Sequence, residues 1–209
     1  INAKDISFRD GAYINSTTYG QGQGGTVVLN AENSVSFAGE GSDGTDSMIE
    51  LASIYKASGA GDAGLLQINA KDISFRDGAY INSTTDGQGQ GGEVVLNAEN
   101  SVSFAGKGSD GTGSIIQLTS SYKVSGAGDA GLLQINAKDI SFRDGAYINS
   151  TTYGQGQGGT VVLNAENSVS FAGEGSDGTD SMIELASIYK ASGAGDAGLL
   201  QINAKDISF

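Results

Sequence analysis

The chain has 209 residues, among them 34 glycines, with no proline, cysteine, tryptophan or histidine, and its 24 acidic and 11 basic residues leave a formal net charge of -13. So much glycine without proline or a Gly-X-Y period excludes collagen and proline-rich disorder, and the missing Cys and His remove disulfide frameworks, thiolate nucleophiles, zinc fingers and a histidine general base. The acidic balance argues against nucleic acid as a partner, because that affinity comes from Lys and Arg displacing counterions, and no apolar run approaches the ~18 residues of a membrane span.

In chain order, the first recognisable element is INAKDISFRDGAYINSTT at Ile1, which returns at Ile68 and Ile135, with INAKDISF again at Ile202. The period is 67 residues, so the chain holds repeats 1–67, 68–134 and 135–201 and the start of a fourth, 202–209. Because it begins at Ile1 and stops inside a repeat, without polar caps over its ends, it is expected to be one continuous stretch of a longer array flanked by further repeats of the same chain. A second, degenerate repeat lies inside each period. LLQINAKDISF (65–75) and TVVLNAENSVSF (26–37) share an apolar-x-apolar-Asn-Ala frame followed by a short polar link and apolar-Ser-Phe.

Each unit parses into three short alternating segments: INA, DISF and AYINS in the first, VVLNA, SVSF and MIELASIY in the second. Period-2 alternation rich in Ile, Val, Phe and Tyr, broken by Gly, Asp, Asn and Ser, predicts strands and turns rather than helix. Three strands per unit with glycine at the corners predict an all-β parallel β-helix, two rungs per 67-residue repeat, stacked about 4.8 Å apart. Equivalent residues should then form columns along the axis. Phe8, Phe37, Phe75, Phe104, Phe142, Phe171 and Phe209 form one column, expected inside with Ile6 and Val35, and Asn2, Asn30, Asn69, Asn97, Asn136, Asn164 and Asn203 form another whose amides can hydrogen-bond along the axis.

The first and third repeats are identical, and the middle one differs at nine positions: Asp86 for Tyr19, Glu93 for Thr26, Lys107 for Glu40, Gly113 for Asp46, Ile115 for Met48, Gln117 for Glu50, Thr119 for Ala52, Ser121 for Ile54 and Val124 for Ala57. In MIELASIY, alternation points Ile49 and Leu51 inward and Met48, Glu50, Ala52 and Ile54 outward. The changes in that strand all fall on the outward set, and the others fall in expected turns or at the outward Thr26. A packed interior under a permissive surface predicts this distribution.

Candidate sites are few. GQGQGG (20–25) and SGAGDAG (58–64) lack the Lys-Ser/Thr and following helix of a phosphate loop, so corner turns needing positive φ are expected there. EGSDGTD places Glu40, Asp43 and Asp46 at a spacing that suits a hard cation such as calcium, but the middle repeat has Lys107, Asp110 and Gly113 at those positions. A solvated acidic loop and no cofactor are therefore expected. A carboxylate pair such as Asp5 with Asp10 would recur every period with no basic cluster to tune it, so no enzyme is expected. Asn15-Ser16-Thr17, repeated at Asn82 and Asn149, fits the N-glycosylation pattern and also fits a polar strand end. Outward Tyr13, Tyr80 and Tyr147, near Met48, Ile115 and Met182, form a mildly apolar stripe suited to a sister filament or a glycan.

GGTVVLNAENSVSFAG, with its partner AGLLQINAKDISFRDG, resembles the repeats of the large secreted exoproteins of filamentous haemagglutinin type from Gram-negative bacteria and cyanobacteria. That resemblance covers the whole chain at the level of repeat style. It implies a right-handed parallel β-helix, export by two-partner secretion, an extracellular or outer-cell-surface location, and a role in adhesion or biofilm. Two functions then compete. One is a rigid shaft or filament, with lateral or end-to-end self-association among its expected contacts. The other is a module whose repeated face engages a host, glycan or surface ligand many times weakly. A polysaccharide-active β-helix enzyme is a third, weaker reading.

Overall fold

The computed structural model describes residues 1–54, 61–86, 88–109, 111, 113–120, 128–188 and 195–209. Residues 58–60 of the second glycine-rich stretch, Tyr55 and Ala57, and Asp110, Ser121 and Val124 of the middle repeat lie outside these. Among the described residues the alternating segments are strands, and there is no helix. In chain order they are β1 (Asn2–Arg9), β2 (Tyr13–Asn15), β3 (Thr26–Ala38), β4 (Met48–Glu50), β5 (Leu65–Arg76), β6 (Tyr80–Thr85), β7 (Glu93–Ala105), β8 (Ile115–Ser120), β9 (Leu132–Arg143), β10 (Tyr147–Thr152), β11 (Thr160–Ala172), β12 (Met182–Ser187), β13 (Leu199–Asn203) and β14 (Asp206–Ser208).

The odd-numbered strands form one sheet in the order β1-β3-β5-β7-β9-β11-β13, with β14 also on β11, and β2 to β12 form a second, six-stranded sheet in sequence order. Every pairing is parallel. The chain thus passes from one sheet to the other and back, adding a strand to each in turn, which is a parallel β-helix-like coil.

The strand division differs from the expected three per unit. The first two segments run together as one long strand. The polar link between them is absorbed as a bend with a register shift, as where Ala70 pairs Ala98 and then Asp72 pairs Ser101. The longer link, Glu99-Asn100, carries one residue more than Lys71, and that extra residue forms the irregularity. At the bend of β5, Lys71 and Asp72 are both exposed, so Ala70 and Ile73 both face inward.

Inward positions from both sheets make a single core. Leu29, Ile68, Leu96, Ile135 and Leu163 form one fully buried column, Val35, Ile73, Val102, Ile140 and Val169 another, and Ile49, Ile81, Ile116 and Ile148 face them from the second sheet. Adjacent members of the first two columns alternate between Leu and Ile or Val and Ile.

The corner between the sheets is set by Asp10-Gly11, where φ is 53° and 84° and the Ala12 amide donates to the Arg9 carbonyl at 3.1 Å. Two consecutive positive φ angles make a type I′ turn, and Asp77-Gly78 and Asp144-Gly145 repeat it.

The glycine-rich stretches correct the sequence expectation. None of the described glycines at 20–25 has a positive φ. They lie flat against the equivalent stretches of neighbouring turns, joined by amide-to-carbonyl bonds such as Gly24 to Asp62, Ala63 to Gln90 and Gly91 to Asp129, each 2.8–2.9 Å. A Cβ on Gly61 would collide with the Gly22 carbonyl oxygen, and one on Gly89 with that of Gly61. Glycine is needed here chiefly because backbones touch; among the described glycines of these stretches only Gly198 has a positive φ, 101°.

Candidate functional site

Repetition puts every side chain near its equivalents, and the largest coherent features are ladders along the axis. The seven Phe rings form one continuous stack with centroids 4.4–5.2 Å apart and planes within 6° of parallel. Isolated aromatic pairs prefer an offset or edge-on geometry; here the backbone ladder imposes its own spacing of about 4.8 Å, and the rings follow it. Phe37, Phe75, Phe104 and Phe142 are fully buried. The seven Asn are linked by six amide bonds of 2.7–2.9 Å, each Nδ2 donating to the Oδ1 of the preceding Asn.

Beside these ladders a polar cluster recurs once per repeat. Asp5 accepts from Ser34 Oγ at 2.8 Å and Asn33 Nδ2 at 3.3 Å, and Asp72 and Asp139 take the same bonds from Ser101 and Asn100 and from Ser168 and Asn167. The bond from Ser34, then that from Asn33, holds the Asp5 carboxyl below its ordinary value. This is opposite to the upward shift that makes a carboxyl a proton donor near neutrality. Asp10 occupies the corner turn, its amide bonded to the Ala38 carbonyl.

Glu40, Asp43 and Asp46 are not gathered into a cation site. Glu40 and Asp46 form an antiparallel bridge at the base of an outward loop, and Asp43 turns back to accept the Thr45 amide at 3.1 Å, which lowers its pKa. The Glu40 carboxylate leaves the loop altogether and accepts from the Ser109 amide and hydroxyl, both at 2.5 Å, in the next repeat. Among the described residues no group of three acidic side chains is placed to hold a metal ion.

The Glu40 to Lys107 change, at the base of the outward loop, also alters a contact between repeats. Lys107 has a side chain only 6% exposed and pairs with Asp177 at 2.5 Å. That contact, with the Thr179 amide, pulls the Asp177 carboxyl far below the usual range. Its stem crosses Gly145 and Gly175, where any side chain would collide with it. Glu in one repeat and Lys in the next thus grip the following loop by different chemistry.

In the second sheet Tyr13, Met48 and Tyr80 stand in register, as do Ile115, Tyr147 and Met182. Tyr13 is 58% exposed but Ile115 only 7%, and burial, with Glu184 and Tyr153 nearby, raises the Tyr147 phenol pKa. Ala52 and Thr119, expected on the surface, are 1% and 2% exposed. Alternation identifies the face a residue is on, not whether solvent reaches it. Thr119 keeps its hydroxyl satisfied against Thr84 at 2.9 Å.

Within Asn15-Ser16-Thr17 the middle residue points inward. Ser16, Ser83 and Ser150 each accept the amide of the glycine nine residues on, at 2.9 Å. Asn15 donates to Glu50 at 2.6 Å. Ser47, Ser114 and Ser181 tie the outward loops to the long strands. Each donates to the carbonyl nine residues earlier at 2.8–2.9 Å, and Ser47 and Ser181 also accept a turn glycine amide from an adjacent turn. A signal was present: positions 46 and 48 change in the middle repeat while the serine between them does not.

Comparison with protein families, with characterised proteins and with solved structures finds no match for the chain.

Proposed function

We propose that this chain is a structural segment of a secreted or cell-surface filament: a rigid extracellular shaft whose length comes from repetition and which serves adhesion or biofilm. The observation that carries this reading is the uninterrupted passage of the Phe stack and the Asn ladder through every repeat. Ladders without a break make neighbouring turns cohere alike along the axis, as a shaft requires and as a single specialised site does not. The resemblance to filamentous haemagglutinin-type repeats supports the same reading and adds the finer architecture we propose: a right-handed coil with three sides per rung and two rungs per repeat.

The test is dimensional. Chains with three, six and nine repeats, imaged by electron microscopy, should form straight rods that lengthen by roughly 10 Å per 67-residue repeat, twice the inter-strand spacing. Compact particles whose diameter grows only as the cube root of mass would overturn the shaft. A second reading, multivalent binding of a glycan or surface, is favoured by one observation, the outward column in which Tyr13, Met48 and Tyr80 stand in register and Tyr80 and Tyr147 remain partly exposed inside the array. Replacing Tyr13, Tyr80 and Tyr147 by Ser should leave rod length and adhesion unchanged if the chain is only a shaft. Loss of adhesion with rod length intact would establish the binding face instead.

A further inference from the structure

At the bend of the long strands the first link residue forms a column of alternating sign, Lys4, Glu32, Lys71, Glu99, Lys138, Glu166 and Lys205, flanked on the side away from the Asn ladder by Asp5, Asp72, Asp139 and Asp206, each beside a lysine. Among the described residues none of these seven is in an ion pair. Lys138 and Lys205 reach instead to the amide oxygens of Asn100 and Asn167, at 3.4 and 3.5 Å. Beside the column runs a groove with an alanine floor and the Asn ladder as its wall. Three concavities join end to end through shared residues, Asn30 and Ala31 linking the first two and Ala98 and Asn136 the next, so the groove extends from Asn2 to Lys205.

A partner that touches this column along its length must present charges that change sign every ~4.8 Å and keep step for the whole distance. A second copy of the chain meets that condition by construction. We propose that two copies associate side by side and antiparallel through this groove, the Lys-Glu column of each lying over the groove of the other.

The symmetry follows from the alternation. A two-fold axis perpendicular to the coil, passing between β5 and β7, sets Lys4 against the partner's Glu166, Glu32 against the partner's Lys138, and Lys71 against the partner's Glu99. Each contact occurs twice, giving only unlike pairs in a closed, isologous contact. Parallel copies at equal height would put like against like, and parallel copies offset by one strand would pair unlike charges only in an open, staggered contact rather than a closed one. The lysine stems cover the alanine floor while their heads reach the opposing carboxylates. The groove is about 30 Å long in this chain, and pairing strengthens with every added repeat, which contributes further unlike pairs in step.

This inference rests on the reading of the chain as an extended coil, and mixing experiments test it separately. One variant carries Lys4→Glu, Lys71→Glu, Lys138→Glu and Lys205→Glu, and a second carries Glu32→Lys, Glu99→Lys and Glu166→Lys. In sedimentation velocity at 0.15 M salt (Debye length about 8 Å), each variant alone should remain monomeric. Their equimolar mixture should form a heterodimer at a concentration at least tenfold lower than either requires for self-association. If like charges along one column unfold a variant, Gln at the same positions serves in its place: its thermal melt should match the parent while the parent's self-association at high concentration is lost. A mixture that sediments as monomers overturns the proposal, as does self-association that survives the Gln changes but disappears with Tyr13, Tyr80 and Tyr147→Ser. Rods that lengthen with repeat number but never pair would remove the pairing and leave the shaft.

Discussion

Phe75→Ala removes a ring that is fully buried and stacked on Phe37 at 4.7 Å and on Phe104 at 4.6 Å. A Phe side chain buries ~150–250 Å², which at about 25 cal/mol per Å² is ~4–6 kcal/mol, and the Cβ that Ala retains keeps about 0.8 kcal/mol of it. The space cannot close, because backbone ladders hold Phe37 and Phe104 about two ring thicknesses apart, so a cavity cost is added and the total falls near ~4–5 kcal/mol. Phe209 is the contrast: it is 79% exposed and stacks on one neighbour at 5.2 Å, so Phe209→Ala should cost under ~1 kcal/mol. Urea unfolding followed by far-ultraviolet circular dichroism measures both changes, and amide exchange should show the lost protection centred on the strands that flank Phe75. Equal costs for the two substitutions would refute the argument, since they differ only in how far neighbouring turns enclose the ring.

The remaining predictions concern the other ladders. Gly89→Ala places a methyl group against the Gly61 carbonyl and should destabilise by ~2–3 kcal/mol or more, whereas Gly20→Ala, with nothing within 4 Å, should be within ~0.5 kcal/mol of the parent in the same denaturation assay. Asn69→Ala breaks two amide bonds of the ladder and should cost ~1–3 kcal/mol, with a smaller effect for the terminal Asn203→Ala, which breaks one. Asp5 and Asp139 have lowered pKa values, chiefly from Ser34 and Ser168. Their contribution is complete above the ordinary carboxylate range near pH 4 and is lost as pH falls through the lowered folded values. Ser34→Ala with Ser168→Ala should therefore reduce the fall in melting temperature between pH 5 and pH 2, and an unchanged acid profile would contradict those bonds.

Much of the architecture was legible because repetition exposes columns. The Phe and Asn sets follow from spacing alone, since a chain that places residue i over i + 28 or i + 39 at the Asn column, and over i + 29 or i + 38 at the Phe column beyond the bulge, leaves the same letter at each step. The inward apolar positions followed from alternation and from the absence of inward changes among the nine differences. The polar cluster of Asp5, Ser34 and Asn33 was harder to read, because unlike residues occupy its successive positions and the bulge shifts their register. The Lys107 contact was hidden for a related reason: its partner lies 70 residues away, in a loop where adjacent strands do not impose the pairing.

By itself the sequence determined the repeat, the all-β character, the identity of the axial columns and the lack of Cys and His, because each follows from periodicity or composition. Only the tertiary structure decided which glycines turn the chain and which let backbones meet, how the polar links bend the long strands, and where the acidic loop of each repeat sends its side chains. Those outcomes depend on which atoms of neighbouring turns come within a few ångströms of one another, and a linear pattern carries no distance between turns.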